Sequence, residues 1–329
     1  MRLLPNKYYI VKHFLQERKI VDYAYKKQFA ANLNRQIQYY NWWQQDAYSH
    51  WLGDFIEKRG LLNGTSKTIA LCSVFGDERI LDRLDTDVRI FFSGENLHNA
   101  RHSQYADYRL SGKRPFDLGI GFDYFEAENY LRFPLWMMYM FAPNATENEI
   151  CRRCEQLRYP KIGDKNKFCS LVARADWNGI RGNIADGLTI IDKVNYPSSF
   201  RHNDDSLKIN FGDDKVTYLK QFKYNICPEN TNAYGYVTEK VFESIAAGCI
   251  PIYWGSYGNP EPDILNIDSI LFWNKDGDNS GLIETIRQGF LFSNIYMDFA
   301  TQPRLKNNAE NIIIQRFNML ESKLKQLIS

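Results

Sequence analysis

The stretch FKYNICPENTNAYGYVTEKVFESIAAGCIPIYWGS, from Phe222 to Ser256, decides the fold of this chain. It begins with a β-favouring run, continues through a turn rich in Asn and Tyr, and from Thr238 shows apolar residues at helical spacing. Gly248 supplies a C-terminal stop for that helix, and CIPIYW returns as a buried strand. A strand, a helix and a second strand in this order predict a parallel sheet with helical crossovers.

The turn between the first strand and the helix concentrates polar and aromatic side chains at the place where open α/β sheets bind ligands. These side chains are Glu229, Asn230, Tyr234, Tyr236, Glu239 and Lys240. Lys240 in the first helical turn opposes the helix dipole, and a bound phosphate would remove this conflict. A carboxylate such as Glu239 is the usual partner of vicinal ribose hydroxyls. The turn therefore predicts a nucleotide site, although a Glu-Lys pair at a helix start is on its own more often structural.

Composition indicates a soluble globular protein and narrows its partners. Its 329 residues, 44% of them hydrophobic, are enough for two compact domains. A net charge of +2 argues against nucleic acid as an obligatory partner. The longest apolar run, 130–143, contains Arg132 and two prolines, so we predict no transmembrane segment.

The cysteines and the first residues bear on location. The six cysteines are not spaced as a secreted disulfide framework, and the N-terminus lacks the apolar core of a signal peptide. Cys151 and Cys154 form a CxxC pair, but no second pair stands near enough to complete a zinc site. We expect a cytoplasmic protein with no bound metal, and peripheral contact with the inner face of the membrane stays open.

Residues 1–66 lack strong strand signals and are rich in aromatic side chains. Helical spacing of these rings predicts helices with one aromatic face, formed by Tyr40, Trp43, Tyr48, Trp51 and Phe55. Such a face is more often packed than used as a stacking platform for a sugar or a partner, so we favour packing.

From Lys67 onward the chain alternates between short β-rich runs and helical segments, which is typical of parallel sheets. The β-rich runs lie at 68–76, 88–94 and 116–123, and then in KFCSLVAR, FKYNIC, CIPIYW and SILFWN. The polar stretch 142–165 is the predicted link between two domains, and the tail 303–329 predicts an amphipathic helix.

The Phe222–Ser256 stretch resembles the donor-binding signature of the α1,3-fucosyltransferases, glycosyltransferase family 10. Three further stretches are similar to this family: FFSGEN at 91–96, FDLGIGFDYFEAENYLRFPLW at 116–136, and CSLVARADWNGIRGN at 169–183. The resemblance implies an α/β chain of the GT-B fold, with two Rossmann-like domains facing a cleft and an extra N-terminal helical segment.

This family resemblance also assigns the domains and the partners. It implies an acceptor-side domain over 1–150 that includes the helical segment 1–66, a donor-binding domain over 151–302, and a C-terminal helix over 303–329. The implied partners are a GDP-sugar donor and an oligosaccharide or glycolipid acceptor. No metal or other cofactor is implied.

By the same resemblance, Arg181 and Lys240 hold the diphosphate, Glu239 and Tyr236 contact the nucleoside or its ribose, and Asn230 contacts the donor. Fixed cations can stabilise the negative charge that develops on a departing diphosphate, as a metal ion does in other enzymes. Arginine suits this role because its planar group can contact two oxygens at once.

An inverting transfer needs a general base for the acceptor hydroxyl. The family's [ST]GEN motif places this base at Glu95, in the turn after a predicted strand. The rival bases are Asp123, Glu126, Glu128, His98 and His102. The Asp85-Thr86-Asp87 sequence imitates a metal-binding DxD motif, but it precedes a strand instead of following one, which favours solvated charge.

The sequence thus predicts an inverting, metal-independent α-1,3-fucosyltransferase that moves L-fucose from GDP-fucose to a hydroxyl of a glycan acceptor. The acceptor position, O3 of an N-acetylglucosamine, rests on the resemblance alone. One alternative is a transferase of another GDP-sugar, and a second is a non-catalytic GT-B module that binds a nucleotide or a glycan. A third, an interaction protein built on aromatic helices, leaves the polar turn unexplained.

Overall fold

The computed structural model describes residues 7–43, 50–108, 110–111 and 114–329. The chain divides into two compact units, each built around its own parallel sheet. Unit 1 comprises residues 1–121, 125–132 and 319–329, and unit 2 comprises residues 122–124 and 133–318.

In unit 1, five strands form a parallel sheet in the order β1-β2-β3-β6-β7. A separate antiparallel pair joins β4 and β5. In chain order, the elements are α1 (Lys7–Asn32), β1 (Ile37–Tyr40), α2 (Trp51–Lys58), β2 (Ile69–Cys72), α3 (Glu78–Leu81), β3 (Val88–Phe92), a 3₁₀ helix (Ser103–Tyr105), β4 (Leu110–Ser111), β5 (Arg114–Pro115), β6 (Leu118–Gly121) and β7 (Tyr130–Arg132).

The N-terminal segment is helical in α1 and α2, as predicted, but it also contains the edge strand β1. β1 pairs with β2 along its whole length, so its stability comes from a ladder partner about thirty residues further along the chain. The predicted aromatic face is consequently divided: Tyr40 ends a strand, Trp43 lies in the following loop, and Trp51 and Phe55 stack on α2. Tyr48 lies outside the described residues.

In unit 2, five parallel strands form a sheet in the order β12-β11-β10-β8-β9. In chain order, the elements are α4 (Leu135–Met140), α5 (Glu147–Arg158), β8 (Lys167–Ser170), α6 (Ile180–Leu188), β9 (Val194–Asn195), α7 (Ser206–Phe211), α8 (Lys215–Leu219), β10 (Phe222–Ile226), α9 (Glu239–Ala246), β11 (Ile250–Tyr253), two 3₁₀ helices (Ser256–Gly258 and Ile267–Ser269), β12 (Leu271–Phe272), α10 (Ser280–Leu291), α11 (Ser293–Ala300) and α12 (Ala309–Ile328).

The strand order of unit 2 creates a topological switch point. From β8 the chain moves outward to β9, then returns to the other side of β8 to form β10, β11 and β12. The loops that follow β8 and β10 therefore leave the sheet in opposite directions and open a crevice between them. This crevice is where a doubly wound sheet holds its ligand.

The strand and helix pattern of the Phe222–Ser256 stretch is confirmed. Its two runs form β10 and β11, and the intervening helix α9 begins after Thr238, which occupies the N-cap. Gly248 follows the helix with a φ of +69°, and a Cβ there would lie 2.5 Å from the carbonyl oxygen of Lys161. Glycine is therefore required at this stop for both backbone conformation and space.

The division into units differs from the predicted boundary at 150. Helix α4 lies before that boundary and helix α5 spans it, and both belong to unit 2. Trp136 of α4 stacks on Phe242 of α9 at a centroid distance of 4.0 Å, and its Nε1 donates to Glu261 at 2.9 Å. The stretch 142–165, predicted as a link, contains α5, which begins with a capping box at Thr146.

The C-terminal helix is confirmed as α12, the second longest helix after α1. Its residues up to Asn318 group with unit 2, and those from Met319 group with unit 1. Within the described part of the chain, no helix is both long enough and apolar enough to cross a bilayer.

The six cysteines are free thiols, and the CxxC pair lies on α5. Cys154 is buried and Cys151 is exposed. This is the arrangement of two thiols on one helical turn.

Trp136 offers a test of how α4 is attached to unit 2. We expect Trp136→Ala to destabilise the protein by about 3–5 kcal/mol, because it removes a buried ring and leaves the buried Glu261 without one of its donors. Urea unfolding measures the effect. Trp177→Ala is the matched control: this tryptophan is 91% exposed, and its loss should change stability by no more than about 0.5 kcal/mol. Equal effects of the two substitutions would contradict the packing described here.

Candidate active site

The candidate site lies in unit 2, at the carboxyl ends of β8 and β10 on the two sides of the switch point. Asn230, in the loop after β10, connects the two loops. Its backbone oxygen accepts a hydrogen bond from Asn178 Nδ2 at 2.8 Å, and its Oδ1 accepts one from Arg181 Nη2 at 2.7 Å. The structure thus brings Arg181 and Asn230, which are far apart in sequence, into direct contact.

Glu229 is the buried centre of the crowded turn. Its carboxylate accepts hydrogen bonds from the backbone N–H and the hydroxyl of Thr238, at 2.8 and 2.7 Å. It also accepts from the Tyr253 hydroxyl at 3.3 Å and from Lys240 Nζ at 3.2 Å. The backbone N–H of Glu229 donates to the carbonyl of Trp254 at 2.8 Å. One side chain therefore links the turn, the start of α9 and the end of β11.

Lys240 stays charged in spite of its burial. Its Nζ contacts Glu229, donates to the Thr238 hydroxyl at 2.6 Å, and lies 3.5 Å from Glu239. Burial alone would lower the pKa of Lys240, but the carboxylates of Glu229 and Glu239 raise it well above its ordinary value. These carboxylates also offset the unfavourable position of a cation at a helix start, so the predicted conflict with the dipole is resolved within the protein.

Glu239 is held ionised by the cations around it. Burial would raise the pKa of Glu239, but Lys240 and Lys215 lower it below the ordinary value. Lys215 is itself paired with Glu243, at 2.5 Å. The first turn of α9 therefore presents a fixed carboxylate beside a fixed ammonium, an arrangement that can accept from hydroxyls and donate to an anion.

Arg181 faces the same group of charges from the other side of the switch point. Burial lowers the pKa of Arg181, while Asp176, Glu229 and Glu239 raise it, so the guanidinium remains charged. Arg181 in turn lowers the pKa of Lys240, because the two cations are close enough to repel each other. A ligand with negative charge would relieve this repulsion.

The N-terminus of α6 is already satisfied by Asp176. Its two carboxylate oxygens accept from the backbone N–H groups of Arg181 and Gly182, at 3.1 and 2.8 Å. The amides of this helix are thus used by the protein. The Arg181 guanidinium also donates to Asn230 and to the Ala175 carbonyl, but its five N–H groups leave further donors for an anion.

Two tyrosines of the turn have different environments. Tyr236 is buried, with its ring 5.1 Å from that of Phe122, whereas Tyr234 is 49% exposed and lies 5.1 Å from Tyr124. Gly235 separates them with a φ of +77°, and a Cβ there would lie 2.8 Å from the carbonyl oxygen of Phe122. The conformation of Gly235 therefore determines which of the two rings is turned toward solvent.

Several residues of this site were not predicted from the sequence. They are Asp176, Trp177, Asn178, Lys215 and Thr238. Trp177 is 91% exposed, beside the Asn178 that contacts the turn. An aromatic residue in the loop after a predicted strand was the available signal for it. The others act through buried contacts that have no local sequence pattern.

Glu95 lies in unit 1, in the turn that follows β3, as predicted. Ser93 fixes this turn: its Oγ accepts from the backbone N–H of Glu95 at 3.0 Å and donates to the Glu95 carbonyl at 3.3 Å. The neighbouring Asn96 is buried, and its Oδ1 accepts from the backbone N–H of His98 at 2.9 Å. The backbone that carries Glu95 is thus held at the carboxyl end of the sheet.

The rival bases differ in their exposure to solvent, and the DxD sequence has a structural contact. Glu126, Glu128 and His98 are exposed, and Asp123 is half-buried. His102 is buried, and this burial lowers its pKa, with Arg101 adding to the effect. Asp87 of the DxD sequence accepts from both the backbone N–H and the hydroxyl of Thr68, at 2.7 and 2.8 Å, and so joins the starts of two strands.

Replacement of Glu229 tests its role as the centre of the turn. We expect Glu229→Ala to cost about 3–5 kcal/mol of stability, because it leaves Lys240 and Thr238 without their buried acceptor. Glu229→Gln keeps one acceptor oxygen and should cost less. Urea unfolding measures both, with Glu284→Ala on the exposed face of α10 as the control. The proposed role fails if Glu229→Ala behaves like Glu284→Ala.

Comparison with known proteins finds similarity to fucosyltransferases. Residues 37–139 match the domain described as "Alpha-(1,3)-fucosyltransferase FucT N-terminal domain". The α-(1,3)-fucosyltransferase FucT of Helicobacter pylori is 30% identical over 194 residues, which cover 51% of this chain and 37% of that protein. A fucosyltransferase-like protein of Arabidopsis thaliana is 50% identical over 42 residues, 13% of this chain and 8% of that protein. The chain thus spans well under half the length of these relatives.

Solved structures agree with the fold. A crystal structure of an α1,3-fucosyltransferase with GDP-fucose superposes with a TM-score of 0.57 at 23% identity, covering 86% of this chain and 89% of that one. A second crystal structure of an α1,3-fucosyltransferase gives a TM-score of 0.58, covering 87% and 89%. The predicted GT-B fold and the predicted resemblance are both confirmed: the chain is similar to the α-(1,3)-fucosyltransferases, and its residues 37–139 match the model of their N-terminal domain.

Proposed function

We propose that this protein is a glycosyltransferase that moves L-fucose from GDP-fucose to a hydroxyl of a glycan acceptor. One observation carries the proposal: Arg181, Asn230, Glu239 and Lys240 converge at the switch point of unit 2 in a chain related to the α-(1,3)-fucosyltransferases. The acceptor position that we propose, O3 of an N-acetylglucosamine, follows from this relationship.

Two fixed cations suit the departure of GDP. When the bond between fucose and GDP breaks, negative charge grows on the diphosphate. Arg181 can contact two of its oxygens at once, and Lys240 supplies a compact second charge. Both are held in place before any ligand binds, Lys240 by Glu229 and Thr238 and Arg181 by Asn230. This preorganisation supports a reaction that needs no metal in the active site.

Glu239 is the proposed partner of the ribose hydroxyls. Its carboxylate is ionised and lies in the first turn of α9, next to Lys240. Asn230 then contacts the donor from the same loop, between β10 and α9, and the buried ring of Tyr236 stabilises this turn. In this arrangement the nucleotide is bound by unit 2 alone.

Glu95 is the proposed general base. The acceptor hydroxyl loses its proton to the Glu95 carboxylate as its oxygen attacks the anomeric carbon, and GDP leaves from the opposite face. This in-line displacement converts the β-linked fucose of the donor into an α-glycoside, so the reaction inverts the anomeric centre. The rigid turn between Ser93 and Asn96 supports this role because it fixes where the carboxylate can reach.

We also propose that the protein is cytoplasmic and that its acceptor is an oligosaccharide or a glycolipid. The six free thiols, among them an exposed one at Cys151, are in keeping with a reducing compartment.

The first experiment is GDP release from GDP-fucose, measured with and without N-acetyllactosamine and in the presence of a chelator. Release that the acceptor stimulates is the expected result, and it would establish donor, reaction class and metal independence together. No release from GDP-fucose, but release from another GDP-sugar, would replace fucose in the proposal. GDP binding without release from any GDP-sugar would favour a non-catalytic module.

Lys240→Ala tests the diphosphate contact. We expect GDP affinity to fall by about 1.5–3 kcal/mol, because a charge-assisted contact is removed. Calorimetric titration with GDP measures it, and circular dichroism checks the fold. Lys208→Ala, an exposed lysine of α7, is the control. If GDP affinity is unchanged in both Lys240→Ala and Arg181→Ala, the diphosphate does not bind at this site.

Glu95→Gln tests the general base. Turnover should fall by about 10²–10⁴-fold, because the amide cannot accept the proton, while GDP affinity stays at the wild-type value. Glu126→Gln, an exposed carboxylate of the same unit, should retain the wild-type rate. If Glu95→Gln also retains it, the base lies elsewhere and Asp123→Asn is the next variant.

A further inference from the structure

Unit 1 contains a cavity of about 680 Å³ that the proposed reaction does not use. Its walls come from α1, from Arg35 in the connection between α1 and β1, from the end of β1 and the loop that follows up to His50, and from the loop after β2. This places the cavity at the carboxyl edge of the parallel sheet, where α/β sheets bind ligands. Its volume is that of a site for one or two sugar rings.

Aromatic rings form one wall of this cavity. Trp42 and Trp43 stack on each other with centroids 4.6 Å apart, and the ring of Phe75 lies 6.3 Å from that of Trp43. Trp42 is buried, whereas Trp43 is half-buried. The flat faces of indole rings pack well against the C–H faces of pyranose rings, and this wall is therefore suited to a saccharide.

Amide side chains fix the wall to α1. Asn32 donates to the Tyr39 carbonyl at 2.8 Å and accepts from the Tyr39 backbone N–H at 2.9 Å. Gln28 donates to the side-chain Oδ1 of Asn41 at 3.1 Å and accepts from the Asn41 backbone N–H at 2.9 Å. The cavity is thus formed before a ligand arrives, which lowers the entropy cost of binding.

The described residues that line the cavity carry positive charge. Lys27 and Arg35 both line it and are exposed, and within the described part of the chain neither side chain forms an ion pair. Among the described residues that line the cavity, there is no carboxylate. Asp54 and Glu57 act on Tyr39, whose pKa burial and these two carboxylates raise to about 12, but neither of them lines the cavity. Two exposed cations without an ion-pair partner among the described residues, beside an aromatic wall, favour a sugar with negative charge.

We infer that this cavity binds an anionic saccharide unit of the acceptor. The negative group, a carboxylate or a phosphate, contacts Lys27 and Arg35, and the apolar face of the sugar packs on Trp43. The identification of the saccharide as part of the acceptor rests on the proposed function, whereas the cavity and its charge do not.

The test is direct binding to the full chain, which does not require turnover. The probes are N-acetyllactosamine, 3′-sialyl-N-acetyllactosamine for a carboxylate, and N-acetylglucosamine 1-phosphate for a phosphate. We expect one of the charged probes to bind more tightly than the neutral one, and its identity gives the source of the charge. In the double variant Lys27→Gln/Arg35→Gln, that probe should bind about tenfold more weakly, while neutral-sugar and GDP affinities stay unchanged.

A matched control and a salt series separate this inference from general charge effects. Lys26→Gln removes a neighbouring exposed lysine that does not line the cavity, and it should bind all probes as the wild type does. Added salt should weaken the charged probe more than the neutral one. Trp43→Ala should weaken both.

The inference is overturned if neither charged probe is preferred, or if the preference survives in Lys27→Gln/Arg35→Gln. Its fate is separable from that of the proposed function. If the charged probe binds through Lys27 and Arg35 but no GDP is released from GDP-fucose, the saccharide site is supported and the fucosyltransferase function is rejected. If a neutral acceptor stimulates GDP release equally in wild type and double variant, and no charged probe is preferred, the fucosyltransferase function is supported and the anionic saccharide site is rejected.

Discussion

The buried carboxylate of Glu229 is the interaction on which the rest of unit 2 depends. It accepts from Thr238, Tyr253 and Lys240, and its own backbone N–H is bonded to Trp254. A charge this deeply buried is tolerated only when it is paired and hydrogen-bonded, as it is here. The same contacts hold the start of α9, the end of β11 and the ammonium of Lys240. The contacts that stabilise the fold therefore also fix the position of this charge.

The charges of the site follow from this constraint. Because Glu229 and Glu239 stabilise the ammonium of Lys240, the protein can keep Arg181 nearby in spite of the repulsion between two cations. Both groups are already held in place, and fixed charges stabilise a charge that develops nearby most effectively when they need not reorganise. In unit 1, uncharged amides hold the backbone instead: Asn32 and Gln28 hydrogen-bond the chain after α1. Lys27 and Arg35 are therefore not needed for these contacts and stay exposed to solvent.

The sequence was most informative where local pattern and function coincide. The strand, turn and helix around Lys240 were predicted, as were the turn that carries Glu95 and the helix near the C-terminus, because each has its own periodicity and end signals. β1 was missed because four residues leave too short an alternation and its stability comes from β2. The role of Asp176 at α6, the attachment of α4 through Trp136 and the cavity beside Trp43 depend on contacts between distant residues, which no local pattern records.

The distribution of exposed and buried thiols gives the protein a single site for selective cysteine labelling. Cys151 is exposed on α5, and the other five cysteines are buried. Burial raises the pKa of Cys72 and Cys154 to about 12 and that of Cys249 to about 11, so these sulfurs are protonated as well as inaccessible. A maleimide dye or spin label will therefore attach to the unaltered chain at one place in unit 2, outside the loops after β8 and β10, and will report on local motion without any engineered cysteine.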